Sequence, residues 1–289
     1  MTSTSWAQWR VRAVPIDCGG QPVATYDLGD PAGAALTFLH GYPSCSLDIA
    51  PVIDQLTRAW RIVAVDFPGF GASVRPTGHR YSIHAAADAV EGMWHAARVT
   101  STVLVAHDYG VSVAQELLAR RAEGALGTEV TAVVWMNGGL YPDLHRPTIG
   151  QQMMLDPEHG AEVAAAVTEA MFVDGIRGTW GERRAMDDAE IHEMWCSMDE
   201  GGGVAQMHDL LGYIADRRQH EARWRTALET CDLPTAFVWG DLDPVSGAHM
   251  IARVEDRIPS ARIVRLADVG HWPPLEAPDV VAEAIEQLI

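Results

Sequence analysis

The stretch that most constrains this chain is Val103-Leu104-Val105-Ala106-His107-Asp108-Tyr109-Gly110. Its first half is short, continuous, apolar and β-branched, the pattern of a buried strand. Directly after it, Ala114, Leu117 and Leu118 repeat at helical spacing, so a helix begins near Gly110. An acid therefore sits on the tight turn between a buried strand and a helix, written Ala106-x-Asp108-x-Gly110.

The remaining buried strands surround this one in a regular order. Val23–Asp27 and Ala35–Leu39 read as early strands split by the turn at Gly29 to Pro31, and His40-Gly41-Tyr42-Pro43 follows the second. Leu47, Val52, Ile53, Leu56 and Trp60 suggest a helix. Arg61–Val65 is the next strand and runs into Asp66–Ser73. Ile83, Ala87, Val90, Trp94 and Ala97 recur with the rhythm of an amphipathic helix. Val130–Met136, Pro234–Trp239 and Ala261–Leu266 supply further strands. Strands alternating with helices in this way argue for right-handed βαβ units and a mostly parallel sheet.

Between Tyr141 and Trp224 the alternation stops. The stretch has helical patterning, several methionines and a Gly201-Gly202-Gly203 loop. The expected organisation is one α/β core, residues 1–140 and 225–289, with a helical cap, residues 141–224, inserted after the sixth strand.

Composition narrows the partners. With 289 residues, 48% hydrophobic, the chain has enough apolar material for such a core. A net charge of −18 argues against nucleic acid and anionic membrane surfaces, which attract Lys/Arg excess. Met1–Trp6 has neither a basic n-region nor an apolar h-region, and no apolar run approaches the roughly 18 residues of a span, so a cytoplasmic protein is expected. Cys18, Cys45, Cys196 and Cys231 are scattered without metal-site spacing, which points to reduced thiols and no metal. The sequence leaves a homodimer open.

Asp108, Asp243 and His271 each fall just past the C-terminal end of an expected strand, where open α/β sheets place their ligands. A serine at the turn would need a base to attack. A carboxylate, with a reference pKa of about 3.9, is already ionised at neutral pH. It can displace a leaving group from saturated carbon and form an ester, whereas attack on an ester carbonyl would give only an anhydride. The fitting substrates are small apolar organic molecules carrying an epoxide or a carbon–halogen bond, with no cofactor. His271, oriented by Asp243, would activate water against the alkyl-enzyme ester. The oxyanion of that step needs N–H donors, for which the backbone of Tyr109 and of Tyr42 is placed.

H-G-x-P at His40–Pro43, D-x-P-G-x-G-x-S at Asp66–Ser73, H-D-x-G at the turn, G-x-x-D-P-V at Gly240–Val245 and G-H-W-P-P-L-E at Gly270–Glu276 resemble the epoxide hydrolase and haloalkane dehalogenase branch of the α/β-hydrolases. Within it, Gln115–Leu118, Asn137–Pro142 and His145-Arg146-Pro147 are similar to the mesoderm-specific transcript-like hydrolases. The resemblance implies an α/β-hydrolase fold with an eight-stranded sheet and a cap, Asp108 as nucleophile, and the His40–Pro43 loop at the substrate. Dehalogenases of this type place Trp after the nucleophile; here Tyr109 stands there, and its phenol keeps halide binding open. The epoxide branch uses cap tyrosines as proton donors, for which Tyr213 is the first candidate and Tyr141 the second. Epoxide hydrolysis is thus the leading expectation, dehalogenation the second, and a non-catalytic ligand receptor on the same fold the third. Elsewhere, Asp66–Ser73 reads as a structural loop, His107 as a packed strand end, and Arg217, Arg218, Arg223 and Arg225 as a solvated face.

Overall fold

The computed structural model describes residues 4–76 and 78–288. Met1, Thr2, Ser3 and Ile289, which belong to the expected core and to the N-terminal reading, lie outside them. The strands are β1 (Val14–Cys18), β2 (Gln21–Gly29), β3 (Ala34–Leu39), β4 (Trp60–Val65), β5 (Ser101–His107), β6 (Glu129–Met136), β7 (Thr235–Gly240) and β8 (Arg262–Leu266). They form one eight-stranded sheet in the order β1-β2-β4-β3-β5-β6-β7-β8. β2 is antiparallel to both neighbours, and the pairs from β4 through β8 are parallel.

Side chains of a strand alternate between faces, and here both faces are covered. In β5, Val103 and Val105 enter one apolar core, while Leu104 and Ala106 enter the other. β6 repeats the pattern, with Val134 and Met136 against Val133 and Trp135. Burial on both sides is why these strands read as unbroken apolar runs. Parallel order brings the C-terminal ends of β3 through β8 to one edge, so the loops after β3, β5, β6, β7 and β8 share one rim.

Between β6 and β7 lie the helices Ile149–Met154, Gly160–Ala165, Glu169–Arg177, Asp188–Asp199, Met207–Leu210 and Tyr213–Glu229. A tight turn of helix, Glu200–Gln206, holds Gly201 and Gly202 at φ of 60° and 79°. The last helix, Tyr213–Glu229, runs straight through the expected cap boundary at 224. It packs on the helix Tyr109–Ala122 that follows β5, where Trp224 Nε1 donates to buried Glu116 (2.7 Å). One helix therefore joins the helical run between β6 and β7 to the helix that follows β5. The helix expected from Leu47 to Trp60 is shorter: a turn at Ser46–Ile49 passes into Ala50–Ile53, and Trp60 opens β4. Among the described residues no helix is long and apolar enough to cross a membrane.

The turn after β5 depends on Gly110. A Cβ there would lie 2.1 Å from the Leu39 carbonyl oxygen and 2.8 Å from Leu39 Cβ. Gly110→Ala is expected to cost about 2 kcal/mol or more, since backbone and not a flexible side chain would have to move. Gly175, inside the helix Glu169–Arg177 with open space around it, is the contrast: Gly175→Ala should gain about 0.5–1 kcal/mol. Denaturant unfolding of both variants checks the pair.

Candidate active site

Asp108 occupies the turn with φ 44° and ψ −102°, a left-handed conformation that a side chain adopts only when its surroundings force it. Its N–H donates to the Asn137 carbonyl (3.0 Å), and Gly110 N–H donates to the His40 carbonyl (2.8 Å). The loops after β3 and β6 thus grip the turn from both sides.

His40 was expected at the substrate, and the structure gives it another task. Its Nδ1 donates to the Gly41 carbonyl (2.8 Å) and its Nε2 accepts from Phe67 N–H (3.0 Å), which sets the tautomer. The ring is fully buried, tilted against Phe67 and edge-on to Phe70, and burial pushes its pKa down to about 4. A neutral imidazole is the form that can donate from one nitrogen and accept on the other. His40 is a strut between two loops.

The Asp108 carboxylate is 4% exposed and its two oxygens meet different surroundings. Oδ2 accepts from Tyr42 N–H (2.9 Å). Oδ1 lies 4.0 Å from His271 Nε2, a gap that a water can bridge, and 3.7 Å from Arg217 Nη2. Tyr109 supplies the first residue of the following helix.

Asp243 is differently provided for. His271 Nδ1 donates to its Oδ2 (2.7 Å), which also receives Ser246 Oγ (2.7 Å) and Asn137 Nδ2 (3.0 Å), while Val245 N–H donates to Oδ1 (2.8 Å). Burial works to raise Asp243, but the imidazole and these donors outweigh it and hold the carboxyl below the usual range. For His271, burial opposes the charged ring; Asp243 and then Asp108 overcome it and push the pKa up to about 9. The backbone around the imidazole is tied down as well: His271 N–H donates to the Thr179 carbonyl (2.8 Å), and His107 Nε2 to the His271 carbonyl (2.7 Å). Buried Glu276 accepts the N–H groups of Gly270, Trp272 and Gly181.

A cavity of about 210 Å³ opens onto Asp108, His271 and Tyr42. Its other walls are mostly apolar cap residues, among them Met153, Met154, Met171, Phe172 and Met207. Met153 and Met171 are more than half exposed, so the cavity's mouth lies between the helices Ile149–Met154 and Glu169–Arg177. A hollow of about 240 Å³ beside Asp48, Asp187 and Glu190 is slightly larger, but it holds none of the three expected catalytic residues.

The tyrosines separate. Tyr213 is buried with its ring against Tyr109 (5.0 Å) and Tyr42 (6.4 Å), and its hydroxyl has no hydrogen-bond partner among the described residues. Burial and then Asp108 raise its pKa, and Arg217 works against them. The Tyr109 phenol is turned toward the Ser82 carbonyl (3.5 Å) and is not part of the cavity wall. Tyr141 lies apart from the cavity. Its ring is under Arg253 (5.5 Å), and burial with Glu229 nearby raises its pKa.

Arg217 overturns its sequence reading. It is 1% exposed, not solvated, and its Nε donates to Ser112 Oγ (2.6 Å) while Nη2 donates to the Asp108 carbonyl (3.2 Å). Arg223 conforms better to that reading, pairing with Glu123 and Glu116. The supporting roles of Asn137 and Ser246 also escaped the sequence, although each lies beside a motif already singled out. Asp66 behaves as the structural residue expected, accepting from Tyr26, Ser46 and Ala72.

The sheet, the turn and the family model for the alpha/beta hydrolase fold, which matches residues 34–278, agree: the chain belongs to the α/β hydrolase fold family. It is 34% identical over its full length to LipZ of Mycobacterium tuberculosis, named as a hydrolase, covering 99% of that protein. It is 32% identical to the human mesoderm-specific transcript homolog protein, across 84% of this chain and 75% of that one. Among solved structures, the haloalkane dehalogenase DbeA from Bradyrhizobium elkani superposes with a TM-score of 0.79 at 18% identity, covering 95% of this chain and 96% of DbeA, a likeness of fold.

If His271 acts as a base, only its neutral form serves, so kcat should rise with pH toward a plateau as the imidazolium, held at about 9 in the resting protein, loses its proton. Asp243→Asn removes the leading charge that raises it. The acidic limb of the kcat profile should then move to lower pH while the plateau falls. A limb that stays in place would show that Asp243 does not govern this imidazole.

Proposed function

We propose that this α/β hydrolase converts epoxides to diols through a covalent ester on Asp108. The observation that carries the reading is the division of the Asp108 carboxylate. Oδ2 is held by the Tyr42 N–H, while Oδ1 has no donor within hydrogen-bond distance among the described residues and faces His271 at 4.0 Å, in a residue that lines the cavity. Oδ1 would attack the epoxide carbon as the ring C–O bond breaks, and Oδ2 would become the ester carbonyl oxygen beside its donor. Tyr213, a buried phenol whose ring lies 6.4 Å from that of Tyr42 on the cavity wall, is suited to protonating the departing epoxide oxygen. His271 would then deprotonate a water, which adds to the Asp108 Cγ; the charge that develops on Oδ2 falls on the Tyr42 and Tyr109 N–H groups. The mainly apolar lining, with its four methionines, favours an apolar substrate and tolerates several shapes.

The same carboxylate and base would serve a dehalogenase. Against that reading stands the Tyr109 phenol, which faces the Ser82 carbonyl at 3.5 Å and does not line the cavity. The hydrogen-bonded Asp243–His271 pair speaks for turnover and against a receptor.

The test is a panel of styrene oxide, epoxyoctane, chlorobutane and bromobutane. Diol formation from the epoxides without halide release is the expected result; halide release without diol would reverse the assignment. His271→Gln should accumulate an adduct on the peptide containing Asp108. In a single turnover in heavy-oxygen water the label should enter Asp108, with the first diol unlabelled, because the attacking oxygen comes from the protein. Label appearing directly in the diol would remove the covalent route. Tyr213→Phe should lower epoxide turnover on the order of a hundredfold, the scale of a lost general acid.

A further inference from the structure

The charge at Arg217 has no place in that scheme as far as it goes. Buried guanidinium groups are rare unless paired, and this one is fitted into the nucleophile's turn with some care. Its Nε holds Ser112, its Nη2 holds the Asp108 carbonyl, and its Cζ lies 4.5 Å from the Tyr213 ring. The position exists because residue 139 is glycine: a Cβ there would lie 2.4 Å from Nη1. Nη1 itself has no hydrogen-bond partner among the described residues.

The anion it meets is Asp108, with Nη2 at 3.7 Å from Oδ1. Nearby His145 is held neutral, its pKa pushed down to about 3 by burial and by Arg217. Asp216, the preceding residue on the helix, has its Oδ2 occupied by Ile83 N–H (3.0 Å).

We infer that Arg217 drives the second half of the reaction, hydrolysis of the ester, by standing beside the one carboxylate oxygen that leaves with the product. The inference rests on the proposed Asp108 ester. Alkylation forms the Oδ1–carbon bond and removes the carboxylate charge, so Arg217 is left buried without its counter-ion. That raises the free energy of the ester relative to the free enzyme. His271 next takes a proton from water, the oxygen adds to Cγ, and an electron pair moves onto Oδ2. Collapse breaks the Cγ–Oδ1 bond. Oδ1 departs on the product with the His271 proton, and the remaining water proton restores the Tyr213 phenol. Negative charge grows on Oδ1 as that bond breaks, on the side where the guanidinium stands, and the carboxylate that remains is again its partner. In the first half the same charge stabilises the nucleophile before attack and gives little help.

The two half-reactions should therefore separate. With the panel epoxide that labels Asp108 in His271→Gln, rapid-quench mass analysis follows adduct formation and decay. Arg217→Met is expected to slow decay on the order of a hundredfold, the scale of a lost preorganised donor at a developing anion. Its adduct should build up during turnover while the formation rate changes little. Arg217→Lys, which keeps the charge without the fork, should restore part of the decay rate, and circular dichroism confirms that each variant is folded. Equal losses in both steps with no recovery by lysine would mark Arg217 as a structural tie and overturn the inference. So would wild-type decay in Arg217→Met. If no panel compound labels Asp108 in His271→Gln, the ester assignment fails and takes this inference with it, a result distinct from the other two.

Discussion

A residue with a side chain at positive φ costs of order 1–3 kcal/mol unless its neighbours leave it nowhere else to go. Asp108, at φ 44°, is such a residue, and much of the surrounding sequence serves to hold it there. Its amide is taken by the loop after β6, and the amide two residues on by the loop after β3. The loop after β3 is itself braced by His40 against Phe67, at the end of β4. Three connections that the chain order separates are thereby locked into one another, and the carboxylate is raised above the sheet edge as a consequence. Parallel topology supplies the common edge, and the strained turn decides which residue stands on it.

Two buried carboxylates flank His271, and their hydrogen bonds divide the work. Asp243 has the imidazole, a hydroxyl, an amide side chain and a backbone N–H, so its lone pairs are occupied and its charge is fixed. Asp108 has one backbone donor on Oδ2 and a distant pair on Oδ1. An oxygen saturated with donors is a poor nucleophile and a good anchor; one left partly free has the opposite character. Composition alone could not assign these roles, since both residues are Asp beside a strand end.

What could be read from the chain was whatever shows within one element or at one strand end. The run Val103–Ala106 and the helical repeat after it marked the turn, and three chemical residues in order at three strand ends marked the rim. Side-chain direction was out of reach. Nothing in Arg217-Arg218 says which guanidinium faces in, because both suit a charged helix and the partner, Asp108, is more than a hundred residues away. The helix Tyr213–Glu229 carries so many charges that its inward face, Tyr213, Arg217, Trp224 and Leu228, is masked by its outward one. Tyr141 and Tyr213 likewise look equivalent as cap tyrosines until packing turns one under Arg253 and the other onto Tyr109. His40 belongs to a motif that borders the site, and a motif does not distinguish a ligand from a strut.

The charges at the site are coupled, and that coupling bears on how one imidazole could serve a two-step cycle. In the resting protein Asp243 and Asp108 both favour the imidazolium, with His271 up to about 9. Such a ring is a poor base, and the proposed first step would need none, because a carboxylate can attack without losing a proton. Ester formation would cancel the Asp108 charge and with it one of the terms that hold the proton on His271. The imidazole should therefore become easier to deprotonate at the moment when water has to be activated. The same event strips Arg217 of its counter-ion. A single covalent bond at Oδ1 would thus prepare both the base on one side of Asp108 and the cation on the other, with no movement of the cap required. This economy depends on the two groups lying 4.0 Å and 3.7 Å from the same oxygen, close enough for a change of charge to be felt in a dry site.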